Sequence, residues 1–186
     1  MSDQQFIIVP KISSYPGAQS RARVIQRWLV ERGIIAPHLS ACGSAPPGRL
    51  AYGIGPRAAE VLEPAGAALL PYERERNGLE IITDRCIYTP ERGFEGRARC
   101  PECRKQIGEA LLEHLEEWMP GETENFICPE CGHEDDINGF PFSQPCGFSD
   151  LGFIFNNWPG RYFRRSFIEE FTERLGYPLA LVEVAY

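Results

Sequence analysis

The tetrapeptide C-P-E-C occurs twice in this chain, and the two copies constrain its fold more than any other feature of the sequence. The first copy contains Cys100 and Cys103, and the second contains Cys128 and Cys131. Two residues between a pair of cysteines let a tight turn bring both thiolates to one ion, and Zn²⁺ prefers four ligands in a tetrahedron. The spacing therefore predicts one metal site with these four cysteines as ligands and one structural zinc ion as the cofactor.

The residues around the second pair suit such a turn. In C-P-E-C-G, Pro129 fixes its own φ and Gly132 tolerates a positive φ. With these two cysteine pairs, the segment 97–140 resembles the zinc-ribbon family, whose pattern is two C-P-x-C-G knuckles on two β-hairpins. The resemblance implies that the four cysteines are the metal ligands. It does not extend to the flanking segments.

Two features depart from the ribbon pattern. Arg104 stands where the family usually has glycine, which predicts a looser or differently shaped first turn. Residues 105–119 lie between the knuckles, where the family has a short loop. Apolar residues recur in this segment at helical spacing, which predicts an inserted helix. These residues are Ile107, Leu111, Leu115 and Trp118. Rubredoxins also pair such knuckles and hold iron, but the missing first glycine and the insert are atypical of them.

A structural role for the metal is favoured over a catalytic one. Four thiolates fill the tetrahedron and leave no position for a reactive water molecule. Two other residues, His133 and Cys146, remain alternative ligands if the first turn is distorted. The acidic residues that follow His133 keep open an alternative function, a small zinc-containing enzyme with its site between the ribbon and the rest of the chain.

Cysteine content and hydropathy give an expected location. The chain has seven cysteines, an odd number, and the cytosol keeps thiols reduced and available to metals. No apolar run approaches the length of a membrane span, and the first residues lack the features of a signal peptide. We therefore expect a cytoplasmic protein that has no membrane partner.

The charge of the chain is unevenly distributed. Residues 1–50 carry six basic and two acidic side chains, a net charge of +4, whereas residues 105–136 carry one basic and ten acidic, a net charge of −9. An acidic surface repels phosphate backbones, so the segment is not expected to bind nucleic acid. It is either a solvated helix face or a docking face for a basic protein.

The docking interpretation assigns partner binding to four glutamates. Four glutamates fall on one side of the predicted inserted helix, opposite its apolar residues: Glu109, Glu113, Glu116 and Glu117. The expected function is a non-enzymatic protein-interaction module, of the adaptor or immunity-inhibitor type, in which the ribbon holds this acidic face rigid.

The flanking segments predict an α+β fold. Strands are expected at 6–12, 79–88, 151–158 and 179–186, and helices at 20–33, with Ser20 as its cap, and at 163–175. Residues 36–66 are rich in Pro, Gly and Ala and predict a loop with at most a short helix near 57–62. This order suits a ferredoxin-like sandwich of two β-α-β halves, 1–96 and 141–186, with the ribbon inserted at 97–140. A doubly wound parallel sheet is the alternative.

Three aromatic residues lie outside any predicted element, among Pro, Ser and Gly. They are Phe140, Phe142 and Phe148. They either seal the ribbon against the sandwich or form an exposed apolar patch for a partner.

Overall fold

The computed structural model describes residues 2–44 and 48–186, and over these residues the chain is an α+β protein with a mainly antiparallel sheet. Its strands, in chain order, are β1 (Gln4–Pro10), β2 (Ile35–Ser40), β3 (Ala51–Ile54), β4 (Leu79–Ile82), β5 (Cys86–Tyr88), β6 (Asn125–Ile127), β7 (Glu134–Asp136), β8 (Gly147–Ser149), β9 (Gly152–Asn156) and β10 (Leu179–Ala185). Its α-helices are α1 (Ala18–Glu31), α2 (Pro64–Ala67), α3 (Gly108–Trp118) and α4 (Arg165–Leu175).

Six strands form the main sheet, in the spatial order β10-β1-β9-β4-β3-β2. Every pair of neighbours is antiparallel, so the alternative of a doubly wound parallel sheet is wrong. The central strands β1 and β9 are buried on both faces, which explains their nearly continuous apolar sequences.

Helices α1 and α4 cover the first face of this sheet. Trp28 of α1 stacks on Phe167 of α4 with ring centroids 5.8 Å apart, and it meets Phe171 edge-on at 5.5 Å. All three side chains are buried, as the helical spacing predicted. Gly176, with φ 76°, ends α4 in the left-handed conformation that glycine adopts at low cost.

The second face of the sheet carries a separate apolar cluster. Its strand residues are Ile7, Val9, Ile154, Ala180, Val182 and Val184. Strands β5 and β8 pair with each other, and their Tyr88 and Gly147 lie against this second face. A Cβ on Gly147 would lie 3.0 Å from Val9, so the close approach of β8 leaves little room for a side chain. Residues 89–146, here called the insert, run between these two paired strands.

The structure corrects the prediction for residues 36–66. This region contains β3, α2 and most of β2, in addition to a short 3₁₀ helix, Ala58–Val61, close to the predicted position. The strands escaped prediction because β2 is an edge strand in which only Ile35 is buried, so it lacks apolar alternation. An edge strand also tolerates a proline such as Pro37, because one of its sides has no ladder partner.

Two further predictions are corrected. Ser20 does not cap α1, because the helix begins at Ala18 after Gly17, which has φ 68°. The single strand predicted at 79–88 is two strands, β4 in the main sheet and β5 paired with β8. No Gly or Pro separates the two strands, so the sequence pattern does not show that the chain changes sheets between them.

The aromatic contact between α1 and α4 gives a stability prediction. Trp28→Ala or Phe167→Ala should each lower the free energy of unfolding by about 3 to 5 kcal/mol, because each leaves a large cavity. Arg27→Ala, an exposed change on α1, is the matched control and should cost less than about 0.5 kcal/mol. Urea unfolding measures all three, and unchanged stability in both core variants would contradict the described packing.

Candidate metal centre

The four cysteine sulfurs meet at one point. The Sγ atoms of Cys100, Cys103, Cys128 and Cys131 all lie within 4.8 Å of one another. Cys100 Sγ is 3.6 Å from Cys131 Sγ, and Cys103 Sγ is 3.8 Å from Cys128 Sγ. A disulfide would need about 2.05 Å, whereas sulfurs at 2.3 Å from a tetrahedral ion lie about 3.8 Å apart. The cluster could therefore hold a metal ion.

Both knuckles have the same backbone hydrogen bonds. In the second knuckle, the N–H of Gly132 donates to the carbonyl of Cys128 at 2.9 Å, and in the first, the N–H of Arg104 donates to the carbonyl of Cys100 at 2.9 Å. Gly132 has φ 80° and Arg104 has φ 63°. The expectation of a looser or differently shaped first turn is therefore wrong, because Arg104 adopts the left-handed conformation that the turn requires.

Two of the clustered thiols, those of Cys128 and Cys131, differ widely in pKa. Burial opposes ionisation of Cys128, but the backbone N–H groups of Cys131 and Glu130 bring its pKa down to about 7. The backbone N–H of His133 favours the thiolate of Cys131, yet burial and the three neighbouring thiols raise its pKa to about 12. Four thiolates at these distances repel one another, and a bound cation would remove that penalty.

The cysteines belong to the apolar core of the insert. Cys100 and Cys128 are buried together with the apolar side of α3, the residues Ile107, Leu111, Leu115 and Trp118, as predicted. Phe140 and Phe148 are fully buried in the same cluster, and the half-buried Phe142 packs on Phe148. These three aromatics therefore seal the insert and do not form an exposed patch.

Polar contacts hold the insert on the rest of the described chain. Trp118 donates its indole N–H to the hydroxyl of Ser13 at 2.7 Å, and the N–H of Ser13 donates to the Asp136 carboxylate at 3.0 Å. Arg85 donates to the carbonyls of Trp118 and Thr123 at 2.6 and 2.9 Å, and its guanidinium lies 4.7 Å from the Trp118 ring. No motif marks Ser13 or Arg85, so this contact could not be predicted from the sequence.

The alternative ligands lie outside the sulfur cluster. His133 and Cys146 are not among the residues whose donor atoms meet there. The His133 ring packs against Phe140 with centroids 5.6 Å apart. Cys146 is half-buried beside the insert's core, and burial raises its pKa to about 12.

The acidic residues after His133 make structural bonds. Asp136 also accepts hydrogen bonds from the backbone and side chain of Asn138, at 2.9 and 2.8 Å. Glu134 accepts from the Asn125 side chain across the β6–β7 hairpin at 3.1 Å. These carboxylates stabilise the hairpin and its contact with Ser13.

The four predicted glutamates form an acidic stripe on α3, consisting of Glu109, Glu113, Glu116 and Glu117. All four are exposed. Glu117 lies 3.7 Å from the His114 ring, and the other three make no ion pair with any residue in the described ranges. The stripe is therefore free to face a partner.

Comparisons with protein-family models, with curated proteins and with solved structures found no match to this chain. Among the described residues, no helix is both long enough and apolar enough to cross a membrane.

The strained knuckle residue yields a prediction. Arg104→Gly should raise the free energy of unfolding by about 0.5 to 1 kcal/mol, because glycine adopts φ 63° without the cost that a Cβ imposes. The matched control is Glu102→Gly, which adds a glycine to the same turn at a residue without positive φ and should be destabilising. Thermal unfolding of the metal-loaded proteins measures both effects. A destabilised Arg104→Gly variant would show that the positive φ of Arg104 does not cost stability.

Proposed function

We propose that this protein is a non-enzymatic interaction module in which a structural zinc ion fixes an acidic helix for docking to a basic protein partner. The observation that carries the proposal is the geometry of α3. Its buried side packs on the cysteine cluster, and its opposite side presents the acidic stripe to solvent. An adaptor or an inhibitor of the immunity type would use such a face.

Zinc is the metal we propose for the cluster. Four thiolates at tetrahedral separations favour zinc or iron, and structural sites of this ligand set usually hold zinc. All seven cysteines are free, with no disulfide between them. Free thiols suit the reducing cytoplasm, which we propose as the location.

We also propose that the sandwich is ferredoxin-like with an inserted zinc ribbon. Strands β10, β1, β9 and β4 lie side by side with α1 and α4 on one face, as two interleaved β-α-β halves would place them. The hairpin of β2 and β3 then extends one edge. The ribbon enters after β5 and leaves at β8, between the two halves of the sandwich.

The acidic stripe has apolar borders that suit a protein partner. Leu112 and Met119 are 38% and 43% exposed on α3 and lie at helical spacing beside Glu116. Exposed apolar side chains next to unpaired carboxylates can bury surface while the charges steer association. A nucleic acid would be repelled by the same carboxylates.

The alternative, a small zinc enzyme, has less support. A closed set of four sulfur ligands leaves no site for water, and the carboxylates near His133 are engaged in structural bonds. No observation at the cluster favours catalysis over a structural role.

The zinc proposal predicts metal content and metal-dependent folding. Protein prepared without chelator should contain one zinc ion per chain, and Cys128→Ser should lose most of it. Cys146→Ser is the matched control and should retain the metal. Removal of zinc by a chelator should unfold the insert, which Trp118 fluorescence and NMR of the insert amides would report. Iron in place of zinc, or full stability after metal removal, would contradict the proposal.

The docking proposal predicts a charge effect on association. The double variant Glu113→Lys and Glu117→Lys should slow association with a protein partner isolated from the native cell extract by about tenfold or more at low salt. Zinc content and melting temperature should stay nearly unchanged, because both residues are exposed. Biosensor kinetics at two salt concentrations measure the effect.

The matched control reverses two glutamates with the same spacing on α4. Glu169 and Glu173 are exposed, and Glu169 pairs only with the exposed Arg165. Their double reversal to lysine changes the net charge equally but leaves α3 intact, so association should persist. Equal slowing by both variants would mean that net charge and not the stripe controls association, and undiminished binding of the α3 variant would remove the stripe from the interface.

A further inference from the structure

The main sheet has two outer strands, β2 at one side and β10 at the other. Strand β2 contains Pro37, and its register with β3 is irregular between Ile35 and Leu39. Proline and irregular register are two of the features that keep an edge strand from pairing with another chain. This side of the sheet is therefore protected against further pairing.

Strand β10 lacks both of these features. It contains no proline and pairs with β1 in a continuous register over all of its 7 residues. Its one charged side chain, Glu183, is paired with Arg161 at 3.3 Å. A long and regular edge strand of this kind is a template on which a further strand can form.

The backbone groups on the free side of β10 can be identified from its two ends. The N–H of Tyr186 donates to the Asp3 carbonyl at 3.1 Å, beyond one end. The N–H of Lys11 donates to the Pro178 carbonyl at 2.8 Å, beyond the other. Even-numbered residues therefore face β1, and because the N–H and C=O groups alternate in direction along a strand, odd-numbered residues face outward. These outward residues are Leu179, Leu181, Glu183 and Ala185.

The outward groups of β10 are unpaired. Its one neighbour in the sheet is β1, and no other backbone group of the described residues forms a hydrogen bond with the four outward residues. The free edge is thus a row of alternating donors and acceptors. The backbone of another extended chain matches such a row.

A groove of about 500 Å³ lies beside this edge, and Leu181 and Glu183 of β10 are part of its lining. Its first wall is on the first face of the sheet and is mainly apolar. Phe163 and Ile168 of this wall pack, together with Leu181, against the core beneath α4. The wall offers apolar contact to side chains of a strand that lies along β10.

The second wall of the groove is formed by the two ends of the insert. Pro90 follows β5, and Gln144 and Pro145 precede β8. The Gln144 side chain accepts from the N–H of Glu95 at 2.8 Å and donates to the carbonyl of Gly93 at 2.6 Å, which holds the two ends together. Because β5 and β8 lie against the second face of the sheet, a groove with this wall and the first one passes around the edge of β10.

We propose that this groove binds one extended peptide segment, which adds a strand to the sheet by pairing with β10. The backbone of the segment bonds to the outward groups of β10, and apolar side chains at alternate positions lie on Leu181, Phe163 and Ile168. Backbone pairing supplies affinity in this mode of recognition, and the apolar wall supplies the preference for particular side chains. The site is independent of the docking function proposed for α3.

The second wall favours a single segment over a second copy of this chain. In a symmetric pair of β10 strands, each copy would bring its own Pro90, Gln144 and Pro145 to the shared edge, where the sheet of the other copy has to lie. A lone segment brings no such wall. The edge of β10 is about 20 Å long, so a segment of about seven residues fills it.

The test begins with random peptides of that length, displayed on phage and selected on zinc-loaded protein. Selected peptides should have alternating apolar residues and no central proline, and a synthetic copy should bind saturably in solution. Methylation of every second backbone nitrogen gives two forms of this peptide, one for each of its edges. The form that is blocked on the edge facing β10 should lose binding, and the other form should keep it.

A pair of variants tests the edge itself. Glu183→Pro removes one outward N–H but no bond to β1, and an edge strand tolerates proline at such a position. It should weaken the selected peptide about tenfold or more, because a hydrogen bond is lost and the approach is blocked. Glu183→Ala is the matched control, since it removes the same side chain and its exposed ion pair but keeps the N–H, and it should change the affinity less than about threefold.

Amide hydrogen exchange, followed by NMR, locates the peptide on the unmodified protein. In the free protein, the outward amides of Leu181 and Glu183 should exchange rapidly, whereas those of Val182 and Val184 should be protected by their bonds to β1. Saturating peptide should slow exchange of the two outward amides about tenfold or more and leave the amides of α3 unchanged.

Four results would overturn the proposal. The first is a selection that yields no peptide with saturable binding, and the second is equal binding of the two methylated forms. The third is exchange of the outward amides that the peptide does not slow. The fourth is a protein that sediments as a dimer and becomes monomeric in Glu183→Pro, which would assign the edge to a second copy.

Discussion

The convergence of four cysteine sulfurs is the constraint on which the inserted half of this protein depends. Two of the sulfurs belong to buried residues, and the apolar side of α3 packs around them, so the cysteine cluster and the core of the insert are one structure. Thiolates at these distances repel one another, and a cation bound among them would remove that repulsion. The orientation of α3, and with it the outward direction of the acidic stripe, follows from this packing.

A second set of contacts holds the insert rigidly on the rest of the described chain. Arg85 binds the carbonyl at the end of α3 and lies over the Trp118 ring, which suits the negative end of a helix dipole. Asp136 and Ser13 add a partly buried hydrogen bond, and the β5–β8 pair closes the base of the insert. Under the docking proposal, an acidic stripe that is fixed in this way would lose little conformational entropy when a partner binds.

The sequence by itself determined the features that depend on local spacing. The C-x-x-C pairs identified the four cysteines that meet, and helical periodicity identified the buried sides of α3 and α4. Only the tertiary structure decided the edge strand β2, which has no buried alternation, and the left-handed Arg104, which the knuckle hydrogen bonds impose. It alone also brought Gln5, Glu80 and Asn156 together, since these residues lie far apart in the chain and meet because sheet pairing aligns their strands.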